Sequence, residues 1–250
     1  MKTLGVIPAR YASTRFPAKP LVDIAGKLMI QRVYEQVQKA SLMDSVIVAT
    51  DDQRIFDAVK SFGGQVEMTA EDHKSGTDRC AEVAQRHSAF DLVVNIQGDE
   101  PFINPSQIDK VIHALMDYEG VDISTLAKVI EEKDEIFNPN VVKVVFGAMQ
   151  QALYFSRNPI PFVRNAERTN WMQNATFFKH IGLYGFRRNV LLQLAHLPQG
   201  QLEQIESLEQ LRWLENGYSI AVGLTQEETF GIDTPNDLDK ALDYLKGNKA

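Results

Sequence analysis

The sequence predicts an α/β protein in which a mostly parallel sheet is flanked by helices. Apolar strands alternate with amphipathic helices through the first half of the 250-residue chain. This alternation is typical of parallel strands joined by right-handed helical crossovers. The chain is 44% hydrophobic and 24% charged, so it can bury a full core. No repeat or evident linker interrupts it, and we expect one domain over residues 1–250.

The composition of the chain argues against several classes of protein. The single cysteine, Cys80, rules out an intramolecular disulfide and a zinc site built from cysteine pairs. No apolar run is long enough to cross a bilayer, and the start MKTLGVIPAR has no signal-peptide core, so we expect a cytoplasmic protein without membrane insertion. The formal net charge of −7 argues against nucleic acid as a partner, because nucleic-acid binders carry a basic face.

Hydrophobic periodicity defines the elements of the first half in chain order. A β-branched run such as SVIVAT predicts a buried strand, whereas apolar residues three and four apart predict a helix. Gly63 and Gly64 end the second helix, since glycine adopts the backbone conformation that closes a helix. We predict strands at 4–7, 45–50, 65–68 and 91–97, and helices at 28–40, 53–62, 77–87 and 106–118.

The second half has a more mixed pattern. Segment 141–164 contains strands and prolines but does not continue the alternation, so we expect an appendage there. Residues 165–176 are polar and predict a loop. One amphipathic helix is predicted at 202–215, with an apolar stripe of Leu202, Ile205, Leu208, Leu211 and Leu214. Further strands are predicted at 123–129, 141–146, 152–156, 180–186 and 219–223, and a last helix at 235–245.

Three cations lie on the loop that follows the first strand. Arg10, Arg15 and Lys19 are placed within VIPARYASTRFPAKP, among prolines and small residues. Ligands bind outside the carboxyl ends of the strands in open α/β sheets, and small residues let backbone N–H groups approach an anion. The loop therefore predicts an anion site, and the alternative is a solvated basic loop.

A second feature is the start of the helix at 77–87, in the stretch KSGTDR. The free N–H groups of a helix start favour an electronegative partner. The stretch lacks the GK[ST] of a phosphate-binding P-loop, so an ordinary N-cap is an equal alternative.

Two aspartates complete the pattern of polar residues near strand and helix ends. Asp99 follows a buried strand and a glycine in VNIQGDEP, and Asp233 precedes the last helix in GIDTP. Carboxylate oxygens are ligands that Mg²⁺ takes together with phosphate oxygens. The alternatives are a turn residue for Asp99 and an N-cap for Asp233. Together with the cations, the pair predicts a nucleoside triphosphate with Mg²⁺, and both phosphoryl and nucleotidyl transfer fit.

The chain closely resembles the 3-deoxy-manno-octulosonate cytidylyltransferases, also called CMP-Kdo synthetases. The resemblance spans nearly the whole chain in the family's order, and it is carried by IPARYASTRFPAKPL, VATDD, KSGTDR, VNIQGDEP, FNPNVVKVV, ALYFSRNPIPF, KHIGLYGFRR, LEQIESLEQLRWLENG and GIDTPNDL. The family usually has glycine where Ala18 stands, and often a Gly-Thr-Gly turn where this chain has Glu228–Gly231. Neither departure removes a charged group.

The resemblance implies a fold and an activity. The family has a Rossmann-like nucleotidyltransferase α/β fold and acts with Mg²⁺, usually as a homodimer. It transfers CMP from CTP to 3-deoxy-D-manno-octulosonate (Kdo) and releases diphosphate, which activates the sugar for lipopolysaccharide biosynthesis. For this chain it implies a small dimerisation appendage within about residues 125–190.

The resemblance also implies roles for residues of this chain. It implies triphosphate binding by Arg10, Arg15 and Lys19, a turn beside cytosine and ribose at Ser75, Gly76 and Thr77, and Mg²⁺ ligation by Asp99 and Asp233. The positions that surround the sugar are Gln97, Arg157, His180, Tyr184, Glu203 and Gln204. Arg157 is the cation that would pair with the sugar carboxylate.

Several alternatives remain open from the sequence. A related enzyme could use another acidic sugar, such as sialate or the 8-amino analogue of Kdo. A nucleotide-sugar glycosyltransferase also uses strand-end aspartates with a metal, but gives no reason for the basic loop. A non-catalytic nucleotide sensor would not need two metal ligands. We recognise no serine–histidine–acid arrangement, so we expect the sugar hydroxyl to attack the α-phosphorus directly.

Overall fold

The computed structural model describes residues 1–12, 16–118, 120–228, 231–232 and 234–247. Two of the predicted site residues, Arg15 and Asp233, lie outside the described residues. The chain forms two compact units. The first contains Met1–Asp109 and Glu228–Ala250, and the second contains Lys110–Glu227.

The first unit contains a parallel sheet. Strand β1 lies between β4 and β6, and β5 pairs with β4, all in parallel. The short strands β2 and β3 form a separate antiparallel hairpin that the sequence did not predict. The strands of this unit are β1 (Thr3–Ala9), β2 (Asp23–Ile24), β3 (Lys27–Leu28), β4 (Ser45–Thr50), β5 (Val66–Met68) and β6 (Leu92–Asn95).

Helices connect these strands as the alternating pattern predicted. They are α1 (Met29–Val37), α2 (Gln53–Ser61), α3 (Gly76–Arg86) and α4 (Pro105–Asp117), and the boundary between the units falls within α4. Side chains of the central strands, such as Val6, Ile7 and Val94, are fully buried. Burial of neighbouring residues, which point to opposite faces of a strand, is typical of a parallel sheet covered on both sides.

The second unit contains a mixed sheet. Strand β7 pairs in parallel with β11 and antiparallel with β10, and β8 pairs antiparallel with both β10 and β9. The strands are β7 (Ile123–Val129), β8 (Lys143–Phe146), β9 (Ala152–Ser156), β10 (Phe178–Arg187) and β11 (Ile220–Leu224). The helices are α5 (Lys133–Phe137), α6 (Trp171–Asn174), α7 (Arg188–Leu194), α8 (Gln201–Glu206) and α9 (Glu209–Glu215). The predicted α/β class is confirmed.

The last helix, α10 (Pro235–Gly247), belongs to the first unit. Its buried Ala241 packs in a cluster with Ile24, Met29 and Ile232. The C-terminal part of the chain thereby covers the β2–β3 hairpin and the start of α1. Among the described residues, no helix combines the length and apolar character needed to cross a membrane.

The prediction of one continuous helix over 202–215 is wrong. The helix is broken between α8 and α9, where Ser207 has a φ of 52° in the left-handed region. The break changes the buried face, so that Leu208 and Leu211 are buried whereas Ile205 is 70% exposed. The spacing of apolar residues alone did not reveal this, because an i, i+3 pattern continues across the break.

The predicted loop at 165–176 contains regular structure. A 3-10 turn at Arg168–Asn170 leads into α6, which begins at the buried Trp171. The Trp171 ring stacks on Phe177 and packs with Ile130 and Ile136, so one aromatic side chain anchors a polar segment. Helix α7 was also not predicted.

Candidate active site

The charged residues of the first unit lie at the carboxyl ends of its parallel strands. The register pairs Ala9 of β1 with Thr50 of β4, and Val6 of β1 with Asn95 of β6. The segments that leave these strands therefore start at one edge of the sheet. Arg10 directly follows β1, and Asp99 lies four residues beyond β6. This is the edge at which α/β sheets bind ligands.

Lys19 and Asp99 form an ion pair at this edge. The distance from Lys19 Nζ to Asp99 Oδ2 is 2.6 Å, and the two side chains are 15% and 28% exposed. The structure thus brings together two residues 80 positions apart that the sequence predicted to share a site. Both side chains keep some exposure, so the pair is not sealed inside the protein.

The loop that carries Lys19 has a strained backbone at Ala18. This residue has a φ of 58° and a ψ of 19°, in the left-handed region. Such a conformation costs an L-residue about 1–2 kcal/mol relative to glycine. This is the position at which the resembling family usually has glycine, a residue for which the left-handed conformation does not carry this cost.

Two further observations bear on metal binding at Asp99. Burial, and to a smaller extent the nearby charge of Asp99, raises the pKa of Glu100 to about 7. The main-chain oxygen of Asp99 accepts a hydrogen bond from the Ile232 N–H at 2.9 Å, so the residue before Asp233 is placed next to Asp99. The described residues contain no group of three or more potential metal ligands. Because Mg²⁺ takes one or two carboxylates together with phosphate oxygens, the residues present fit this ion.

Two glycines permit a close approach of the backbone near Pro8. A Cβ atom on Gly98 would lie 2.9 Å from the Pro8 main-chain oxygen, and one on Gly76 would lie 3.2 Å from Pro8 Cγ. The segments before α3 and after β6 can therefore lie against the end of β1. Only glycine fits at Gly98 without moving the backbone, and Gly76 is a member of the predicted cytosine–ribose turn.

The predicted turn at 75–77 forms a capping box at the start of α3. Ser75 Oγ accepts a hydrogen bond from the Asp78 N–H at 3.1 Å, and Asp78 Oδ2 accepts one from the Ser75 N–H at 3.0 Å. The N-cap alternative is therefore correct as a description of the local structure. Thr77 is buried. The roles of Ser75, Gly76 and Thr77 in nucleotide binding stay predictions.

Arg10 contacts a segment that the sequence analysis did not single out. Its guanidinium donates a hydrogen bond from Nη2 to the main-chain oxygen of His73. A guanidinium carries several N–H donors in one plane, so this bond is compatible with further bonds to a phosphate.

Arg79, in the same KSGTDR stretch, is fully buried and was also missed. It donates from Nη2 to Asp51 Oδ2 at 2.7 Å and from Nη1 to the Thr69 hydroxyl. These bonds join α3 to the residues that follow β4 and β5. A buried arginine needs such partners. The position of Arg79, two residues after the turn at 75–77, is the feature of the sequence that could have identified it.

The remaining predicted site residues divide between the two units. Gln97 lies in the first unit just beyond β6, and it is half-buried. The other five predicted sugar-site residues lie in the second unit: Arg157, His180, Tyr184, Glu203 and Gln204.

Arg157 ties the end of β9 to two other segments. Its side chain donates to the main-chain oxygens of Glu206 at 2.6 Å, Pro139 at 3.0 Å and Ser207 at 3.2 Å. The carboxylate of Glu206 accepts from the Arg157 N–H at 3.0 Å and from the Ser156 hydroxyl at 2.7 Å. Glu206, which sequence reasoning missed, thus holds the break between α8 and α9 against the strand end.

His180 and Tyr184 lie at an irregularity in β10. The pairing of β10 with β7 shifts between Ile181 and Tyr184, and the Thr125 hydroxyl contacts the main-chain oxygens of Ile181 and Leu183 at 3.1 and 2.9 Å. The same hydroxyl is 2.9 Å from His180 Nε2. Because the single hydroxyl proton goes to a carbonyl, we assign the Nε2–H of His180 as the donor to Thr125.

The environment keeps both aromatic side chains neutral. His180 packs against the rings of Phe155 and Tyr184, and burial lowers its pKa to about 3. Burial, together with the charge of Glu209, raises the pKa of Tyr184 well above its usual value of 10. Near neutral pH this pair therefore offers hydrogen bonds without carrying charge.

The two predicted residues of α8 have different surroundings. Glu203 is buried, and its Oε2 lies 3.1 Å from Arg212 Nε and accepts from the Gly200 N–H at 3.2 Å. Gln204 is exposed. The sequence predicted the same role for both residues. In the structure, Glu203 joins α8 to α9, whereas Gln204 is exposed.

A sequence profile of the cytidylyltransferase family matches residues 4–220 of this chain. The 3-deoxy-manno-octulosonate cytidylyltransferase of Parabacteroides distasonis is 56% identical over 250 residues, which cover 98% of each chain. The protein of that name in Bacteroides thetaiotaomicron is 57% identical over 251 residues, covering 98% of this chain and 99% of its own. The chain belongs to the 3-deoxy-manno-octulosonate cytidylyltransferase family. The resemblance indicated by the motifs is confirmed.

Solved structures agree with membership of this family. A CMP:2-keto-3-deoxy-manno-octonic acid synthetase in complex with CTP matches with a TM-score of 0.92 and 42% identity, over 99% of this chain and 100% of that one. A 4-diphosphocytidyl-2C-methyl-D-erythritol synthase from Anaerococcus prevotii matches with a TM-score of 0.63 at 14% identity, over 98% of this chain and 99% of that one, which shows the common fold. The nucleotidyltransferase α/β fold predicted for the chain is confirmed.

Proposed function

We propose that this protein transfers CMP from CTP to Kdo, which yields CMP-Kdo and diphosphate and activates the sugar for lipopolysaccharide biosynthesis. The observation that carries the proposal is the close match, along the whole chain, to a synthetase solved with CTP. The names and high identity of the curated relatives support the same reaction. We place the reaction in the cytoplasm, where CTP is available.

The cations of the first unit would act on the triphosphate. Arg10 and Lys19, with Arg15, would bind the phosphate oxygens and offset the negative charge that develops on the leaving diphosphate. The sugar hydroxyl would attack the α-phosphorus and lose its proton, the bond from the α-phosphorus to the bridging oxygen would break, and diphosphate would leave. No covalent enzyme intermediate is needed.

Asp99 and Asp233 would hold Mg²⁺. When bound, the ion would polarise phosphate oxygens and lower the pKa of the attacking hydroxyl. In the structure Lys19 compensates the charge of Asp99, and burial together with that charge raises the pKa of the neighbouring Glu100. With Asp99 engaged as a metal ligand, Lys19 would bind a phosphate oxygen of the nucleotide instead.

The sugar would be bound by Gln97, Arg157, His180, Tyr184, Glu203 and Gln204. Arg157 would supply the cation for the carboxylate of the acidic sugar. Neutral His180 and Tyr184 would supply hydrogen bonds to sugar hydroxyls without adding charge to a site that already contains carboxylates. Ser75, Gly76 and Thr77 would lie beside the cytosine and ribose.

One assay of diphosphate release tests this function. We expect turnover with CTP and Kdo in the presence of Mg²⁺, and no turnover after EDTA. Equal turnover with ATP or GTP, or a rate unchanged by EDTA, would contradict the proposal. If turnover were faster with sialate or with the 8-amino analogue than with Kdo, the proposed sugar would be wrong, but the proposed transfer of CMP would stand.

We also propose that the protein is a homodimer that pairs through the predicted appendage within residues 125–190. Three large apolar side chains in segment 141–164 are strongly exposed, namely Met149 at 72%, Leu153 at 65% and Phe162 at 71%. Pairing through this segment would remove such side chains from water. Light scattering should give twice the 28.2 kDa mass of the chain. Leu153→Asp should shift that mass to the monomer, and a monomeric wild type at micromolar concentration would exclude the dimer.

A further inference from the structure

Arg10 gains its orientation from a carbonyl group on another segment. The bond from its guanidinium to the His73 oxygen joins residues 63 positions apart. A long arginine side chain loses rotamer entropy when it is fixed. A guanidinium that is already anchored by one N–H would therefore meet a phosphate with part of this cost removed.

The segment that carries the carbonyl has neither helix nor strand to fix it. Residues 69–75 join β5 to α3 through a turn. Two groups in this segment bond to one carboxylate oxygen: Glu82 Oε2 accepts from the Ala70 N–H at 2.9 Å and contacts His73 Nε2 at 2.5 Å. Glu82 thus holds the segment at two points on either side of the turn.

The carboxylate of Glu82 is itself held in place by α3. Arg86, one turn further along the helix, donates from Nη2 to Glu82 Oε1. Burial alone would raise the pKa of Glu82, but the hydrogen bonds from Ala70 and His73 and the charge of Arg86 outweigh it and lower the pKa. The group is ionised near neutral pH, and its hydrogen bonds are charge-assisted.

We infer that Glu82 is a positioning residue for nucleotide binding, because it fixes His73, whose main-chain oxygen in turn orients the Arg10 guanidinium. Glu82 is absent from the site described above, where His73 enters only through the main-chain oxygen that accepts from Arg10. The inference rests on the proposed function, in which Arg10 binds the triphosphate. Glu82 acts through this chain of contacts and does not touch the substrate.

A second glutamate–histidine pair lies at the C-terminal end of α3 and offers a control. Glu67 Oε1 contacts His87 Nε2 at 2.5 Å, and Glu67 Oε2 accepts from Arg86 Nη1 at 3.2 Å. The chemistry is the same, glutamate with histidine and with Arg86, but His87 caps the C-terminal end of the helix. Glu67→Gln is therefore a control for the loss of such a pair without a change at His73.

The test measures CTP binding by calorimetry and turnover separately. We expect Glu82→Gln and His73→Ala each to weaken CTP binding about tenfold, or about 1.4 kcal/mol. The KM for Kdo should stay unchanged, since the change affects one substrate only. Glu67→Gln should bind CTP like the wild type, even if its melting temperature falls as far as that of Glu82→Gln.

A double-mutant cycle with Arg10→Ala tests the route of the effect. If Glu82 acts through Arg10, Glu82→Gln should cause no further loss of CTP affinity once Arg10 has been replaced. Additive losses would overturn the inference, as would a normal affinity in both single variants. If Glu82→Gln does not fold, His73→Ala decides, because it leaves the bonds of Glu82 to Ala70 and Arg86 in place.

The outcomes also separate this inference from the proposed function. A wild-type protein that binds CTP and forms product, with variants that bind CTP equally well, overturns the role of Glu82 alone. A wild-type protein that does not bind CTP overturns the proposed function, and the role of Glu82 with it.

Discussion

The charged site residues of the two units differ in how exposed they are and in how many bonds they already make within the protein. Lys19 and Asp99 form a partly exposed pair at strand ends, next to a carboxyl group whose pKa is raised. In the second unit, Glu203 is buried against Arg212, and Arg157 donates to three main-chain oxygens. Substitutions of the site residues in the first unit should therefore affect chemistry with little loss of stability, whereas those in the second should affect both.

The largest effect is expected at Asp99. Asp99→Asn keeps the shape of the side chain but removes the charge that would hold a divalent cation. Turnover should fall by at least about 100-fold, the scale of losing an electrostatic stabiliser of the transition state. Steady-state diphosphate release measures it, and the melting temperature should change little because the carboxylate is partly exposed.

Asp91 provides the matched control at the other end of β6. Its carboxylate accepts from the Lys2 N–H at 2.8 Å, away from the strand's carboxyl end. Asp91→Asn should leave turnover unchanged. If Asp99→Asn stayed within a factor of about two of the wild type, Asp99 would be only a turn residue.

Arg157→Ala should affect both stability and sugar binding. The lost hydrogen bonds to Glu206, Pro139 and Ser207 should lower the free energy of unfolding by about 2–3 kcal/mol. If Arg157 also pairs with the sugar carboxylate, the KM for Kdo should rise at least about tenfold while the Kd for CTP stays nearly unchanged.

Arg157→Lys sharpens this result. An ammonium group cannot reproduce the planar, forked contacts of a guanidinium, so only part of either loss should be recovered. Equal losses of Kdo and CTP binding would mean that Arg157 supports the fold and does not contact the sugar.

His180 should make the second unit sensitive to acid. Its pKa is about 3 in the folded protein and near 6.5 when unfolded, so below about pH 6.5 the unfolded chain binds a proton that the folded protein excludes. Stability is therefore lost as the pH falls. Between pH 7 and pH 5 His180 should contribute a loss of about 1–2 kcal/mol, and His180→Gln should remove that part of the loss.

Urea unfolding at the two pH values measures this difference. Glutamine does not titrate in this pH range. Its side-chain amide can still donate to the Thr125 hydroxyl, so this hydrogen bond is preserved. His196 is exposed, and His196→Gln is the control for replacing a histidine outside the core. A wild type and a His180→Gln variant with the same pH dependence would show that the imidazole is well solvated.

The smallest effect is expected at Ile205, which tests the break between α8 and α9. Because the side chain is 70% exposed, Ile205→Ala should cost less than about 0.5 kcal/mol. Leu208→Ala should cost about 2–4 kcal/mol, since Leu208 is only 6% exposed. Similar losses from both substitutions, measured by urea unfolding, would favour the continuous helix that the sequence predicted.

Local pattern was sufficient where the chain alternates regularly. The predicted strand 45–50 is β4, and the predicted helix 53–62 differs from α2 by one residue. The strand predicted at 91–97 ends earlier, at Asn95, because the chain must turn before Gly98 approaches Pro8. The role of Arg79 was not predicted, since a buried arginine at a helix start looks like a surface cation in the sequence.

The α/β class, the family and the placement of Arg10, Lys19 and Asp99 after strands could all be predicted from the amino-acid sequence alone. These follow from local periodicity and from the rule that parallel strands end at one edge of a sheet. The tertiary structure decided which groups meet, such as the Arg10 guanidinium with the His73 oxygen, and where α8 ends at Ser207. Such contacts join residues far apart in the chain, and their energies depend on burial and geometry that no short window of sequence contains.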